Sequence, residues 1–192
     1  MIEPLAFFGA VMVCIWMFPG RRTLPIVVLA IWVLASWIVH RETAVSLGLS
    51  LPGIARCFIR WRLIFLALFL LVLATGGRNL ASTTTLWHAL RYLAWCIVQQ
   101  AVYQSMVFQK LRSAIGQETV AAILSGILFS LVHLPNPLLV PATFVWGVCA
   151  SLLFCACRSV IALGGVQFLL SAIGVAVFPV TLHHAFRIGP GY

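Results

Sequence analysis

Acidic side chains are almost absent from this sequence of 192 residues: there are three, Glu3, Glu42 and Glu118, with no aspartate, and charged residues of both signs make up only 8%. Without aspartates or paired acids, the chain has no obvious means of chelating Mg²⁺ around a pyrophosphate-bearing substrate. Only Arg91 and Arg158 fall near helix mouths where cations could clamp a phosphate. So few charges also exclude an ordinary soluble domain, in which about a quarter of the residues are charged. The chain is instead 63% hydrophobic with a mean hydropathy of +1.12, which makes it a polytopic membrane protein. The net charge of +9 could suit nucleic acid, but the Arg residues are dispersed at helix ends. Membrane topology and anionic headgroups explain that distribution, so membrane lipids and not nucleic acid are the expected partners.

Six cysteines raise the question of disulfides or metal. Cys14, Cys96, Cys149, Cys155 and Cys157 lie in apolar runs, where Cys behaves as a small hydrophobe, while Cys57 lies in a basic amphipathic stretch. The Cys155-x-Cys157 spacing puts two thiols on different helix faces, so no metal site, redox pair or cofactor is expected.

The apolar runs predict an all-α bundle of about seven spans in a single integral membrane domain: N-terminal spans in residues 1–44, a core in 45–182 and a tail in 183–192. The first span lacks a basic n-region and a cleavage site and reads as retained, and the second runs from Leu24 to His40. Between Arg41 and Arg62, Ile54, Phe58 and Trp61 recur at helical spacing among Arg56, Arg60 and Arg62, which fits an interfacial amphipathic helix or a solvated basic loop. A third span covers Leu63 to Thr75, and the hydroxyls of the Gly76–Thr85 loop can cap the next helix. That helix is long, from Leu86 to Ile115, and is followed by spans at Glu118–His133, Leu139–Cys157 and Ser159–Leu182. His183 and His184, beside Arg187, are expected to anchor the tail at the interface. Counting basic residues in alternate connections gives Arg41, Arg56, Arg60, Arg62, Lys110, Arg112 and Arg158 on one side, against Arg21, Arg22, Arg78 and Arg187 on the other. The bias favours a cytoplasmic N-terminus in a bacterial inner membrane.

The chain is organised around Gln99 to His133, where two apolar helices carry polar residues at membrane depth. Gln104 lies one turn beyond Gln100 and shares its face, with Gln99 beside them, and His133 closes the second helix. Polar side chains at that depth are costly and usually face a bundle interior or wet cavity, so the cluster is the candidate site.

These residues resemble the CAAX-protease and bacteriocin-processing (CPBP) family of intramembrane glutamic endopeptidases, whose motifs are EExxxR, then FxxxH, then HxxxN or HxxxD. Phe129-Ser-Leu-Val-His133 matches the second motif and is followed by a family-like Leu134-Pro-Asn-Pro. The first motif reads Gln99-Gln100-Ala-Val-Tyr-Gln104, with every ionisable position an amide. Aligning Arg158-Ser159-Val160 with the family's entry to its last helix puts Gln167 where the His belongs and Ser171 where the Asn belongs. In helix order and spacing the resemblance covers roughly residues 45 to 175.

What the resemblance implies is a Glu and a His activating water against an amide carbonyl. A primary amide cannot act as that base. Gln99, Gln100, Gln104 and His133 are therefore expected to carry the site's chemistry, with Gln167, Ser171, Trp95, Tyr103 and Phe129 around a bound substrate. Glu118 opens a helix and reads as a partner of its dipole. The leading expectation is a repurposed enzyme acting on a neutral, lipid-like or isoprenoid molecule from the bilayer by cyclase or isomerase chemistry, because aromatic faces stabilise positive charge. The alternative is a pseudoprotease that binds a hydrophobic peptide, prenyl tail or partner helix. A divergent CAAX-type endopeptidase ranks third. Oligomeric state is not legible in the sequence.

Overall fold

The structure is a computed structural model that describes residues 2–19, 23–75 and 83–191; Arg21, Arg22, Arg78 and most of the Gly76–Thr85 loop lie outside the described residues. The described residues are almost all helical and include no strand. Helices α1 (Ile2–Met17) and α2 (Thr23–Val39) precede a short α3 (Leu51–Arg60), which bends by 68° into α4 (Arg62–Thr75). The 51–60 segment is thus a helix and not a loop. It carries Arg56 and Arg60 beside exposed Phe58 and Ile59, with Gly53 and Cys57 buried beneath. Helix α5 (Thr83–Val102) continues through a π-helical segment (Tyr103–Phe108) into α6 (Gln109–Ile115), and Gly116 ends the run at a φ of 77°. Helices α7 (Glu118–Leu131), α8 (Leu139–Ala156) and α9 (Val160–Val177) follow, with a short α10 (Val180–His183) before the tail.

Apolar side chains cover the outside as well as the core. Helix α4 buries none of its residues, although it is apolar between its terminal Arg62 and Thr75, and Leu63, Leu66, Phe69, Leu70 and Leu71 are all exposed. A helix apolar all round with an open outer face is solvated by lipid, so the chain is an integral membrane protein. The expected seven spans are a different matter. Among the described residues α8 and α9 suffice by length and hydropathy to cross a bilayer, the bent α3–α4 pair passes the same test only when its two helices are taken as one span, and α1, α2 and α7 are apolar but shorter. The last span also stops at Val177 and not at Leu182, because Phe178 turns to extended backbone ahead of Pro179, which cannot continue a helix.

Two seams bring the motif-bearing helices together. A Cβ placed on Gly164 would lie 2.8 Å from the backbone of Ile97, so α9 approaches α5 as closely as a missing side chain permits. At Gly147 a Cβ would lie 2.9 Å from the Cα of Gly126, which gives α7 and α8 the same kind of contact. Small residues at such crossings are how membrane helices gain packing without a hydrophobic drive between them.

Other ties were not legible in the chain. Cys57 and Cys157 form a disulfide with Cα atoms 5.7 Å apart, fastening α3 to the α8–α9 turn, so Cys157 is a cross-link and not just a small hydrophobe. Glu3 accepts from Ser36 Oγ (2.7 Å), His40 Nε2 (2.9 Å) and Lys110 Nζ (2.9 Å), which joins α1, α2 and α6. Asn136 is fully buried; its Nδ2 donates to the carbonyls of His183 (3.0 Å) and Arg187 (3.2 Å), while its Oδ1 accepts from Leu138 and Leu139 N–H at the start of α8. The tail consequently folds back, and His183 is 4% exposed with its ring against Phe186.

Candidate functional site

Gln99 and Gln100 occupy the last turn of α5, and Gln104 follows in the π-helical segment. Its wider turn bonds Gln109 N–H to the carbonyl of Gln104, five residues back. Single π turns inside α-helices recur at functional sites. No glycine or proline accompanies this one, so nothing in the sequence announces the change of helical register. The Gly164 crossing places Gln167 of α9 opposite the glutamines of α5.

The four amides form one chain of hydrogen bonds. Gln104 Nε2 donates to Gln100 Oε1 (3.1 Å), Gln100 Nε2 to Gln167 Oε1 (2.6 Å), and Gln167 Nε2 to Gln99 Oε1 (2.6 Å). Trp146 of α8 adds a donor the sequence reading missed, its indole Nε1 lying 3.1 Å from Gln167 Oε1. Gln100 and Gln104 are at most 1% exposed, Gln167 is buried and Gln99 half-buried. Among the described residues Gln104 Oε1 is a buried acceptor with no partner.

His133 follows α7 and is 9% exposed. Its Nδ1 lies 2.7 Å from the carbonyl of Phe129. A carbonyl only accepts, so Nδ1 carries a proton, and in the neutral form of the ring Nε2 is the nitrogen with the lone pair. The Phe129 ring packs edge-on against His133 at 5.0 Å and tilts over Tyr103 at 4.7 Å, which links the FxxxH motif to the residue beside Gln104. The Tyr103 hydroxyl does not face an open space. It lies 3.0 Å from the Gly147 carbonyl, 3.0 Å from Ser151 Oγ and 3.1 Å from Ser125 Oγ, a buried hydroxyl cluster that joins α7 and α8.

Two expected substrate contacts stand apart from the amides. Ser171 is one turn beyond Gln167 and pairs with Tyr92 (3.1 Å) toward the other end of the α5–α9 seam. Trp95 is 54% exposed on the outside of α5. It shares a helix face with Gln99, but α9 crosses closest at Ile97 and leaves the Trp95 side open. An open groove of about 440 Å³ is lined by Leu34, Trp37, Ile38, Arg41, Glu42 and Leu47, and its Trp37 donates from Nε1 to Ser105 Oγ (2.9 Å), the residue after Gln104.

The family model described as type II CAAX prenyl endopeptidase Rce1-like matches residues 81–173, from the start of α5 to the second half of α9. The match covers 93 of the 192 residues, just under half, and supports membership of the CPBP family. The matched region contains the four hydrogen-bonded glutamines, His133, and the Trp146 and Gly164 contacts that hold them. No curated protein and no solved structure matches the sequence. Set against the family's motifs, this chain keeps a histidine in place and replaces the acid pair by amides that each bond to Gln167 across the α5–α9 seam. The three acids of the chain do not take over. Glu3 is held by Lys110, His40 and Ser36, Glu42 borders the open groove, and Glu118 pairs with Arg112. Among the described residues no group of three or more His, Cys, Asp or Glu could hold a metal ion.

Proposed function

We propose that this CPBP-family protein retains a membrane-embedded substrate site and uses it to bind a neutral hydrophobic ligand, a prenyl tail or lipid-like chain, without hydrolysing a peptide bond. The observation that carries the reading is the fate of the motif carboxylates: both positions are amides, with both polar atoms of Gln100 and the oxygen of Gln99 held in hydrogen bonds inside the protein. An amide cannot take the proton of an attacking water, and loss of a general base costs a factor of about 10² to 10⁴ in rate. Binding is open to the site nonetheless. The ligand reaches it from the bilayer of a bacterial cytoplasmic membrane, where the exposed apolar faces of the helices lie.

Cyclase or isomerase chemistry on an isoprenoid, expected from the sequence, gains no support from the geometry, since Trp95 lies outside and the Tyr103 hydroxyl is occupied. A divergent endopeptidase is the second reading, favoured by the family match itself and by the lone pair on His133 Nε2. Retention of a photoreactive prenyl-chain probe by protein in lipid nanodiscs tests the proposal. Wild type is expected to be labelled within residues 81–173, and Gln100→Ala and His133→Ala are expected to lose most of the labelling. Labelling spread evenly over the outer helices and unaffected by both changes would overturn it.

A further inference from the structure

The direction of the amide chain is fixed by chemistry and not by the placement of near-identical N and O atoms. Indole N–H can only donate, so the atom of Gln167 that faces Trp146 Nε1 is its oxygen. Gln100 meets that same oxygen and must offer its Nε2, which turns Gln100 Oε1 toward Gln104 and obliges Gln104 to present Nε2 there. Gln104 Oε1 is thereby left as the unpartnered buried acceptor. In the other direction Gln167 has only its Nε2 for Gln99, so Gln99 Oε1 is consumed. The one group Gln99 has left is an N–H donor. It makes no other hydrogen bond among the described residues, and Gln99 is the half-buried member of the chain, the one within reach of a ligand. Flipping any single amide would set donor against donor or acceptor against acceptor, at a cost of about 1–3 kcal/mol for each group left unsatisfied.

We infer that Gln99, at a position where the family motif has an acid, is wired through Gln167 and Trp146 to act only as a hydrogen-bond donor, and that it selects ligands carrying a carbonyl oxygen. The inference rests on the binding reading above and deepens it. An acid at this position accepts or repels where Gln99 donates, so the site recognises a carbonyl it cannot hydrolyse. Trp146 touches no ligand in this scheme. It is a positioning residue that sets the polarity of the chain from α8.

The test compares two probes of one shape, a long-chain isoprenoid methyl ketone and its isostere in which the carbonyl oxygen is replaced by a methylene group. Binding to the full chain in nanodiscs is measured for both. Wild type is expected to bind the ketone about 5- to 10-fold more tightly, the ratio given by one hydrogen bond of about 1 kcal/mol. Gln99→Glu keeps an acceptor for Gln167 Nε2 and is expected to erase or reverse the preference. Trp146→Phe removes the polarity lock and is expected to lower the ratio while leaving the affinity for the methylene isostere unchanged, which a purely structural role would not do. Equal binding of the two probes to wild type, or an undiminished preference in Gln99→Glu, overturns the inference and leaves the binding reading standing. Binding of neither probe overturns both.

Discussion

Replacing Gln167 by leucine tests the amide chain most severely, because one side chain holds three partners. The change keeps the bulk of the side chain but removes the bonds from Gln100 Nε2 (2.6 Å) and Trp146 Nε1 (3.1 Å) and the bond to Gln99 Oε1 (2.6 Å). Hydrogen bonds between membrane helices contribute about 0.6–1 kcal/mol each, so three give a loss of about 2–3 kcal/mol. For a chain of this size that corresponds to a fall of about 4–12 °C in Tm. The assay is thermal unfolding in detergent, followed by loss of helical circular dichroism. Gln100→Leu should cost less on its own, and the double variant should cost less than the sum, because each single change leaves the other partner with an unpaired polar group. A Tm shift under about 2 °C for Gln167→Leu, or strict additivity in the double variant, would refute the idea that the four glutamines act as one unit.

Further outcomes follow from the packing. Gly164→Val should lower Tm by an overpacking cost of about 1–3 kcal/mol and should also weaken ligand labelling, since its side chain would meet the backbone of Ile97 and part α5 from α9; an unchanged melt would count against the seam. Reducing the Cys57–Cys157 disulfide, which closes 100 residues of chain, should destabilise the protein by about 2–4 kcal/mol, and Cys57→Ser should make the melt insensitive to reductant. Glu118→Gln should shift stability by less than about 1 kcal/mol, as its ion pair with Arg112 is half-exposed.

The order of helices was legible because hydropathy and punctuation are local: the apolar runs, Gly116 and the Pro-Asn-Pro turn all mark where chain direction changes. The grouping of Gln99, Gln100 and Gln104 on one face was legible from helical periodicity, and the position of Gln167 opposite them came from motif spacing. What could not be read depends on contacts between distant elements. Trp146 looks like any aromatic on an apolar helix until Gln167 is placed against it. Cys57 and Cys157 become a pair only when α3 lies on the α8–α9 turn, and His183 is buried only because Asn136 draws the tail back. The exposure of Trp95 was hidden for the converse reason: its helical phase is that of Gln99, but no neighbouring helix covers it. The π turn at Tyr103–Phe108 inserts no unusual residue, and its register change is visible only in the backbone.

The central claim is that a site built from Gln99, Gln100, Gln104 and His133 binds without cleaving, and mass spectrometry of a prenylated CAAX peptide incubated with purified protein in nanodiscs tests it directly. The account predicts that the intact peptide is recovered, with no C-terminal tripeptide released above the rate seen in empty nanodiscs. Steady release of the tripeptide by wild type, lost in His133→Ala, would contradict it.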